Sequence, residues 1–112
     1  MNGLFALDAL DDEALDDLPF GVVRLDPAGH IERFNKPEAN RSGIQRWRAL
    51  GRNYLRDIAR ASTELATAIR HTEPGKCASV DATFRGYHRE DHAHVDISRA
   101  DDGRVYLRIK AA

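Results

Sequence analysis

The sequence predicts a single α+β domain in which a five-stranded antiparallel sheet carries helices across one face. Three observations lead to this prediction. Two apolar runs are joined by the turn residues "DPAG", an amphipathic segment ends at Pro74 and Gly75, and three strand-like segments follow. A chain of 112 residues, of which 42% are hydrophobic, can bury one modest core.

Residues 1–17 form an acidic segment, which we expect to be a helical cap that precedes a single domain at 18–112. The segment contains acids and no base: Asp8, Asp11, Asp12, Glu13, Asp16 and Asp17. One side of a weak helix can carry its leucines while the acids face water: Leu4, Leu7, Leu10 and Leu15.

The first two strands are predicted from "PFGVVRLD" and "HIERF", which flank a turn at Pro27 and Gly29 and should pair as a hairpin. Between Asn35 and Ala61, glycine and proline interrupt any alternation, which favours short helical turns.

The clearest helix is "ASTELATAIRHTEPG", with Ser62 as its N-cap and Glu64 in its first turn. Leu65 and Ile69 lie on one face of this predicted helix. Its end is expected before Pro74.

Three strands follow the helix. The segment "SVDATFRGYH" contains Gly86, which indicates a bulge or a close approach of another backbone segment. The segment "HAHVDIS" alternates cleanly, so its apolar residues should face the core and its polar residues the solvent. An Asp-Gly turn then leads into "VYLRIK".

Composition excludes several classes of protein. A formal net charge of -1 provides no general field for nucleic acid or an anionic membrane. No stretch approaches the roughly 20 apolar residues of a membrane span, and no signal peptide is recognisable. Cys77 has no second cysteine to pair with. We therefore expect a soluble cytoplasmic protein, monomeric or homodimeric, that binds neither nucleic acid nor membrane.

Two clusters of charged or metal-binding side chains have ordinary explanations. His88, His92 and His94 could supply zinc ligands, but a polar, solvent-facing strand surface accounts for them, and we predict no metal site. Arg52, Arg56 and Arg60 recur every four residues, which indicates a solvated ridge, or a contact with the acidic cap or with an acidic partner.

A resemblance to a known family rests on several motifs. Phe20-Gly21, Leu25-Asp26, Phe34-Asn35, Glu38 and "GRNYLRD" occur in this order. With the acidic cap, this pattern resembles photoactive yellow proteins, which are PAS domains. The resemblance implies the PAS fold and a ligand pocket.

The resemblance also assigns site residues. Glu38 matches a buried acid that hydrogen-bonds a p-coumaroyl chromophore, and Phe34 and Ser42 match a tyrosine and a hydroxyl residue beside it. Ala61 stands where the family has the chromophore cysteine, so a covalent p-coumaroyl group is not expected. His88 is a second pocket candidate. No cation is foreseen next to Glu38, so this acid should be protonated or hydrogen-bonded.

The resemblance leaves several functions open. The first is a sensory domain that binds an unknown small molecule non-covalently and signals in trans to a protein partner, since no output segment is recognisable. The alternatives are a small enzyme with Glu38 and His88 as an acid/base pair on an aromatic or acyl substrate, a haem-type gas sensor with His71 or His88 as axial ligand, and an interaction protein without a ligand.

Overall fold

The computed structural model describes residues 4–59, 62–85 and 90–111. Its strands are β1 (Gly21–Leu25), β2 (Ile31–Phe34), β3 (Cys77–Arg85), β4 (Glu90–Arg99) and β5 (Val105–Ala111). Its α-helices are α1 (Asp12–Asp16), α2 (Lys36–Ser42), α3 (Arg46–Ala49) and α4 (Thr63–His71). A 3-10 helix (Phe5–Ala9) precedes α1, and a π-helical turn (Tyr54–Ile58) precedes α4.

The strands form one antiparallel sheet in the order β2-β1-β5-β4-β3. Val23 of β1 lies opposite Leu107 of β5, and Val95 of β4 lies between Ile109 and Val80. The predicted α+β class, the strand count and the antiparallel pairing are confirmed. Gly86, where a bulge was predicted, lies outside the described residues.

The core lies between this sheet and the helices. Val23, Val95 and Leu107 are fully buried on one face of the sheet, and Leu65 and Ile69 of α4 are buried in the same cluster. The alternation of side chains along the strands explains why one face is apolar. Among the described residues, no helix is long and apolar enough to cross a membrane.

Side-chain hydrogen bonds hold helix α4 near both ends; in its first turn, Glu64 Oε1 accepts the N–H of Thr83 (2.7 Å). At its C-terminal end, Arg99 donates to the carbonyls of Ile69 (2.9 Å) and Thr72 (2.6 Å) and also to that of Gly103 (3.1 Å). At its N-terminal end, Ser62 occupies the cap position, but its side chain makes no capping hydrogen bond. The predicted N-cap position of Ser62 is confirmed, but its side chain does not supply the capping hydrogen bond.

The N-terminal segment covers the other face of the sheet. Leu4 donates its backbone N–H to Ser98 Oγ of β4 (3.1 Å). Phe5 packs edge-on against Tyr106 of β5, with ring centroids 5.6 Å apart, and Leu15 is 2% exposed. Because Ser98 and Tyr106 alternate with core-facing residues, these contacts place the segment opposite the helices.

The acids of this segment do not simply face water, as was expected. Three of them pair with arginines of the domain: Asp8 with Arg24 (2.9 Å), Asp12 with Arg33 (2.9 Å), and Asp16 with Arg46. None of these three ion pairs involves Arg52 or Arg56 of the predicted ridge. Within the described chain, Arg56 pairs with its neighbour Asp57 (3.2 Å), and Arg60 lies outside that part.

Candidate functional site

The start of α2 positions the predicted acid. Asn35 is the N-cap, and its Oδ1 accepts the N–H of Glu38 (3.2 Å) and that of Val22 (2.8 Å). Its Nδ2 donates to the carbonyl of Leu15 in the cap (2.8 Å). One buried amide therefore links the helix that carries Glu38, the first strand and the cap.

Glu38 is fully buried and forms a two-point ion pair with Arg41. Arg41 Nε lies 2.8 Å from Oε1, and Nη2 lies 2.5 Å from Oε2. The expectation that no cation accompanies Glu38 is therefore wrong. Residues three apart on a helix lie on the same side, so Arg41 reaches the carboxylate from within α2.

Arg41 extends this pair toward β3 and β4. Its Nη1 lies 2.6 Å from a carboxylate oxygen of Asp91, and its guanidinium lies 4.3 Å from the centre of the Phe84 ring. The result is a partly buried network of two acids and one arginine beside an aromatic ring. Bidentate pairs of this kind fix geometry as well as charge.

Burial and pairing act in opposite directions on this network. Burial raises the pKa of the Glu38 carboxyl, against the hydrogen bonds and charge of Arg41. Burial alone would lower the pKa of Arg41, but its contacts with Glu38 raise that pKa above the ordinary range. Arg41 is therefore the permanent cation, and Glu38 is the member of the pair whose protonation can change.

Tyr54 adds an unsatisfied hydroxyl to this region. Its side chain is fully buried, and its Oη has no hydrogen-bond partner among the described residues. Burial, followed by the charge of Glu38, raises the pKa of Tyr54, so the hydroxyl stays protonated. The tyrosine lies within the quoted motif "GRNYLRD", but the motif gave no indication that its hydroxyl would be unpaired.

The other predicted site residues differ in placement. Phe34 is 2% exposed and belongs to the core. Ser42 is partly buried, and its Oγ accepts the N–H of Ile44 (3.2 Å), which makes it part of a local turn. Ala61 and His88 lie outside the described residues.

Gly21 explains how the acid fits beneath the sheet. A Cβ atom at this position would overlap Glu38 Oε1 and would lie 3.1 Å from Glu38 Cβ. The carboxylate therefore packs directly on the backbone of β1. The Phe-Gly motif thus has a steric role at this site.

A separate cleft of about 540 Å³ opens at the far end of β1. It lies between the β1–β2 turn, the π-helical turn and α4, and its lining includes neither Phe34 nor Glu38. The buried Oγ of Ser62, which lines the cleft, also has no hydrogen-bond partner among the described residues.

The histidines of β4 lie on the polar face, as predicted. His94 Nδ1 lies 2.9 Å from Asp81, and its Nε2 lies 3.2 Å from Asp96. The hydrogen bond with Asp81 is the largest cause of a raised His94 pKa. The described residues contain no group of three or more His, Cys, Asp or Glu side chains that could hold a metal ion.

Comparison with solved structures identifies the fold. The photoactive yellow protein domain of the sensor histidine kinase Ppr from Rhodospirillum centenum superposes with a TM-score of 0.78 and 21% identity, over 95% of this chain and 97% of that one. The PAS domain of RpfR from Cronobacter turicensis, solved with C12:0, gives 0.63 and 14%, over 85% and 95%. The chain has the PAS fold.

Two further comparisons extend this result. No family model matches the chain. A photoactive yellow protein from Rhodothalassium salexigens is 35% identical over 54 residues, which are 48% of this chain and 43% of that protein. The predicted resemblance is thus confirmed in sequence, although the match spans less than half of the relative.

Among other PAS-like structures is the E. coli DhaR(N)–DhaL complex, with a TM-score of 0.66 and 22% identity. The superposition covers 97% of this chain and 36% of that one. The structural neighbours of this PAS domain therefore include one solved with a small molecule and one solved with a protein partner.

Proposed function

We propose that this PAS domain is a sensory module that binds a small molecule non-covalently beside Glu38 and signals in trans to a protein partner through its acidic cap. The observation that carries the proposal is the buried Tyr54 hydroxyl, which has no described partner. Leaving such a group unsatisfied costs about 1–3 kcal/mol. A ligand that offers an acceptor to Tyr54 would recover this free energy.

The chemistry of the partly buried network narrows the ligand class. Arg41 supplies a fixed positive charge, and Glu38 can act as an acceptor or, when protonated, as a donor. A phenol, an amide or a carboxylic acid complements such a set. Phe34, Ser42, Ala61 and His88 complete the proposed binding residues, and alanine at position 61 requires the ligand to bind without a thioester.

Asn35 connects the proposed binding site at Glu38 to the cap. Its side chain accepts the N–H of Glu38 and donates to the carbonyl of Leu15. A ligand that rearranges the Glu38–Arg41 pair would shift the first turn of α2 and strain both bonds. The equilibrium between docked and released cap would then depend on ligand occupancy.

Relatives in fold are compatible with this proposal. The RpfR PAS domain was solved with C12:0, and DhaR(N) was solved with DhaL. These observations concern those proteins, and they support a ligand and a protein partner here as a proposal.

The first test of the proposal is native mass spectrometry with an absorption spectrum of the purified protein, followed by titration with p-coumaric acid. We expect a bound small molecule that is lost on denaturation, or saturable binding of the probe. Tyr54→Phe should weaken binding about tenfold, as for a hydrogen bond within a charged site. The matched control is Thr67→Val, which removes the hydroxyl of an exposed side chain on α4 that contacts neither Glu38 nor the cap. Equal affinities for the two variants would contradict the site.

A second test addresses the cap. Addition of a bound ligand should increase hydrogen exchange at the cap amides, and removal of residues 1–17 should change the affinity for an identified partner. Cap exchange that is unaffected by saturating ligand would contradict the signalling route but not the binding site.

A further inference from the structure

The cleft at the far end of β1 has the features of a second ligand site. It is about 540 Å³ in volume and lies between the turn at 26–29, the π-helical turn and α4. Ser62, at the start of α4, is 1% exposed and lines the cleft. Its residues do not overlap those proposed to bind a ligand beside Glu38.

The Ser62 end of the cleft favours an anion. The Oγ of Ser62 has no partner among the described residues, although it is buried. The first amides of an α-helix have no intrahelical acceptor, and the Ser62 side chain accepts from none of them. A helix of nine residues also places a partial positive charge at this end. Within the described part of the chain, the Ser62 hydroxyl thus lacks a hydrogen-bond partner, which an incoming anion would supply.

Part of the cleft is apolar. Leu55 and Ala66 line it and are partly exposed. Behind them, the lining continues into buried members of the core: Leu25, Ala59, Ile69 and Val105. A ligand that fits must therefore carry a hydrocarbon body as well as an anionic group.

The charges around the cleft favour an anion as well. Arg56, Arg70 and Arg99 line it, and Asp26 is the one acid among the described lining residues. Asp26 is engaged within its own turn, where it accepts the N–H groups of Ala28 (2.9 Å) and His30 (2.8 Å). Among the described residues, no carboxylate forms an ion pair with Arg70 or Arg99; Arg99 is bonded to backbone carbonyls.

We propose that this cleft binds an amphipathic monocarboxylate, with the carboxylate at Ser62 and the first amides of α4 and the hydrocarbon chain along Ala66 and Ile69. The positions of polar and apolar groups define this orientation. The proposal goes beyond the site beside Glu38 and does not depend on it.

Octanoate is the probe, and octan-1-ol is its uncharged counterpart. Titration followed by NMR of the backbone amides should give saturable shifts in α4 and in the turn at 26–29. Octan-1-ol should bind at least fivefold more weakly. Equal affinity for the alcohol, or the absence of binding by octanoate, would overturn the proposal.

Ser62→Asp is the decisive variant because aspartate is a good N-cap and also places a negative charge where the carboxylate would bind. We expect an unchanged or higher melting temperature and at least a tenfold loss of octanoate affinity. The matched control is Thr67→Asp, which adds the same charge to an exposed position of α4 outside the cleft and should change affinity less than twofold.

Two other variants exclude indirect effects. Ala66→Leu fills the middle of the cleft and should reduce octanoate binding even if the Ser62 variant folds poorly. Tyr54→Phe should leave octanoate binding unchanged. Octanoate binding that is lost in Tyr54→Phe and retained in Ser62→Asp would place the probe in the other pocket and overturn the proposal.

Discussion

Two regions of this PAS domain are built from the same pair of side chains, a carboxylate and an arginine. In the interior, Glu38 is fully buried and the Arg41 side chain is 14% exposed. At the cap, the Asp12 side chain is 73% exposed and that of Arg33 is 15% exposed. The ionic groups are the same in both regions, but burial shields the interior pair from solvent. Burial, rather than the type of pair, should therefore decide what each contact is worth.

The largest expected effect is at Arg41. Its replacement by methionine leaves the Glu38 carboxylate buried without a cation, which should lower the free energy of unfolding by about 3–5 kcal/mol. Urea unfolding measures this change. The double variant Glu38→Leu with Arg41→Met should recover most of the loss, because an apolar pair can replace a buried ion pair at little cost.

Arg33→Met makes the matched change at the cap. Since Asp12 is largely exposed, the loss should be at most about 1 kcal/mol. Similar losses for Arg33→Met and Arg41→Met would show that burial does not distinguish the two regions.

Acidification should release the cap. Although burial acts in the opposite direction, hydrogen bonds from Tyr106 and Arg24 hold the pKa of Asp8 below its ordinary 3.8, and Arg46 has the same effect on Asp16. A lowered pKa stabilises the folded form above the ordinary value, and this contribution is lost as pH falls through the lowered one. Below about pH 3.8, cap amides should therefore lose protection, measured relative to their intrinsic exchange rates, before those of the core strands do.

The control for this experiment is the variant Asp8→Asn with Asp16→Asn. Its cap should already be loosened at pH 6 and should respond less to acid. Cap and core amides that lose protection together in the native protein would indicate global unfolding instead of cap release.

The smallest expected effect concerns His94, which pairs with carboxylates on the open face of the sheet. Asp81 raises its pKa above 6.5. This pair contributes stability below the ordinary pKa, and the contribution is lost as pH rises through the raised value. NMR titration should show a lower His94 pKa in Asp81→Asn and no change in Asp101→Asn. An unchanged pKa in the first variant would contradict the pairing.

The sequence predicted the fold well because the fold depends on patterns. The alternation through Ala93, Val95 and Ile97 and the spacing of Leu65 and Ile69 each specify one apolar face. These patterns do not depend on how individual side chains pack. The resemblance to photoactive yellow proteins then implied the PAS fold, which alternation alone does not specify.

The site was predicted less well, because its chemistry depends on where individual side chains point in the folded protein. The spacing of Glu38 and Arg41 shows that they share a helix face, but not that this face is buried. The free hydroxyls of Tyr54 and Ser62 result from tertiary packing, for which local sequence has no signal. The placement of Ala61 and His88 lies beyond the described residues, so their assignment remains a prediction.

Gly21 has a consequence for how this interior could be opened by design. The Glu38 carboxylate packs directly on the backbone of β1. A methyl group at position 21 would therefore push this carboxylate aside, since no empty space is available for the methyl group. Gly21→Ala would press directly on the Glu38–Arg41 pair without removing any charged or polar atom. A single added carbon atom would thus displace the Glu38 carboxylate from the strand side, with every charged and polar atom of the network still present.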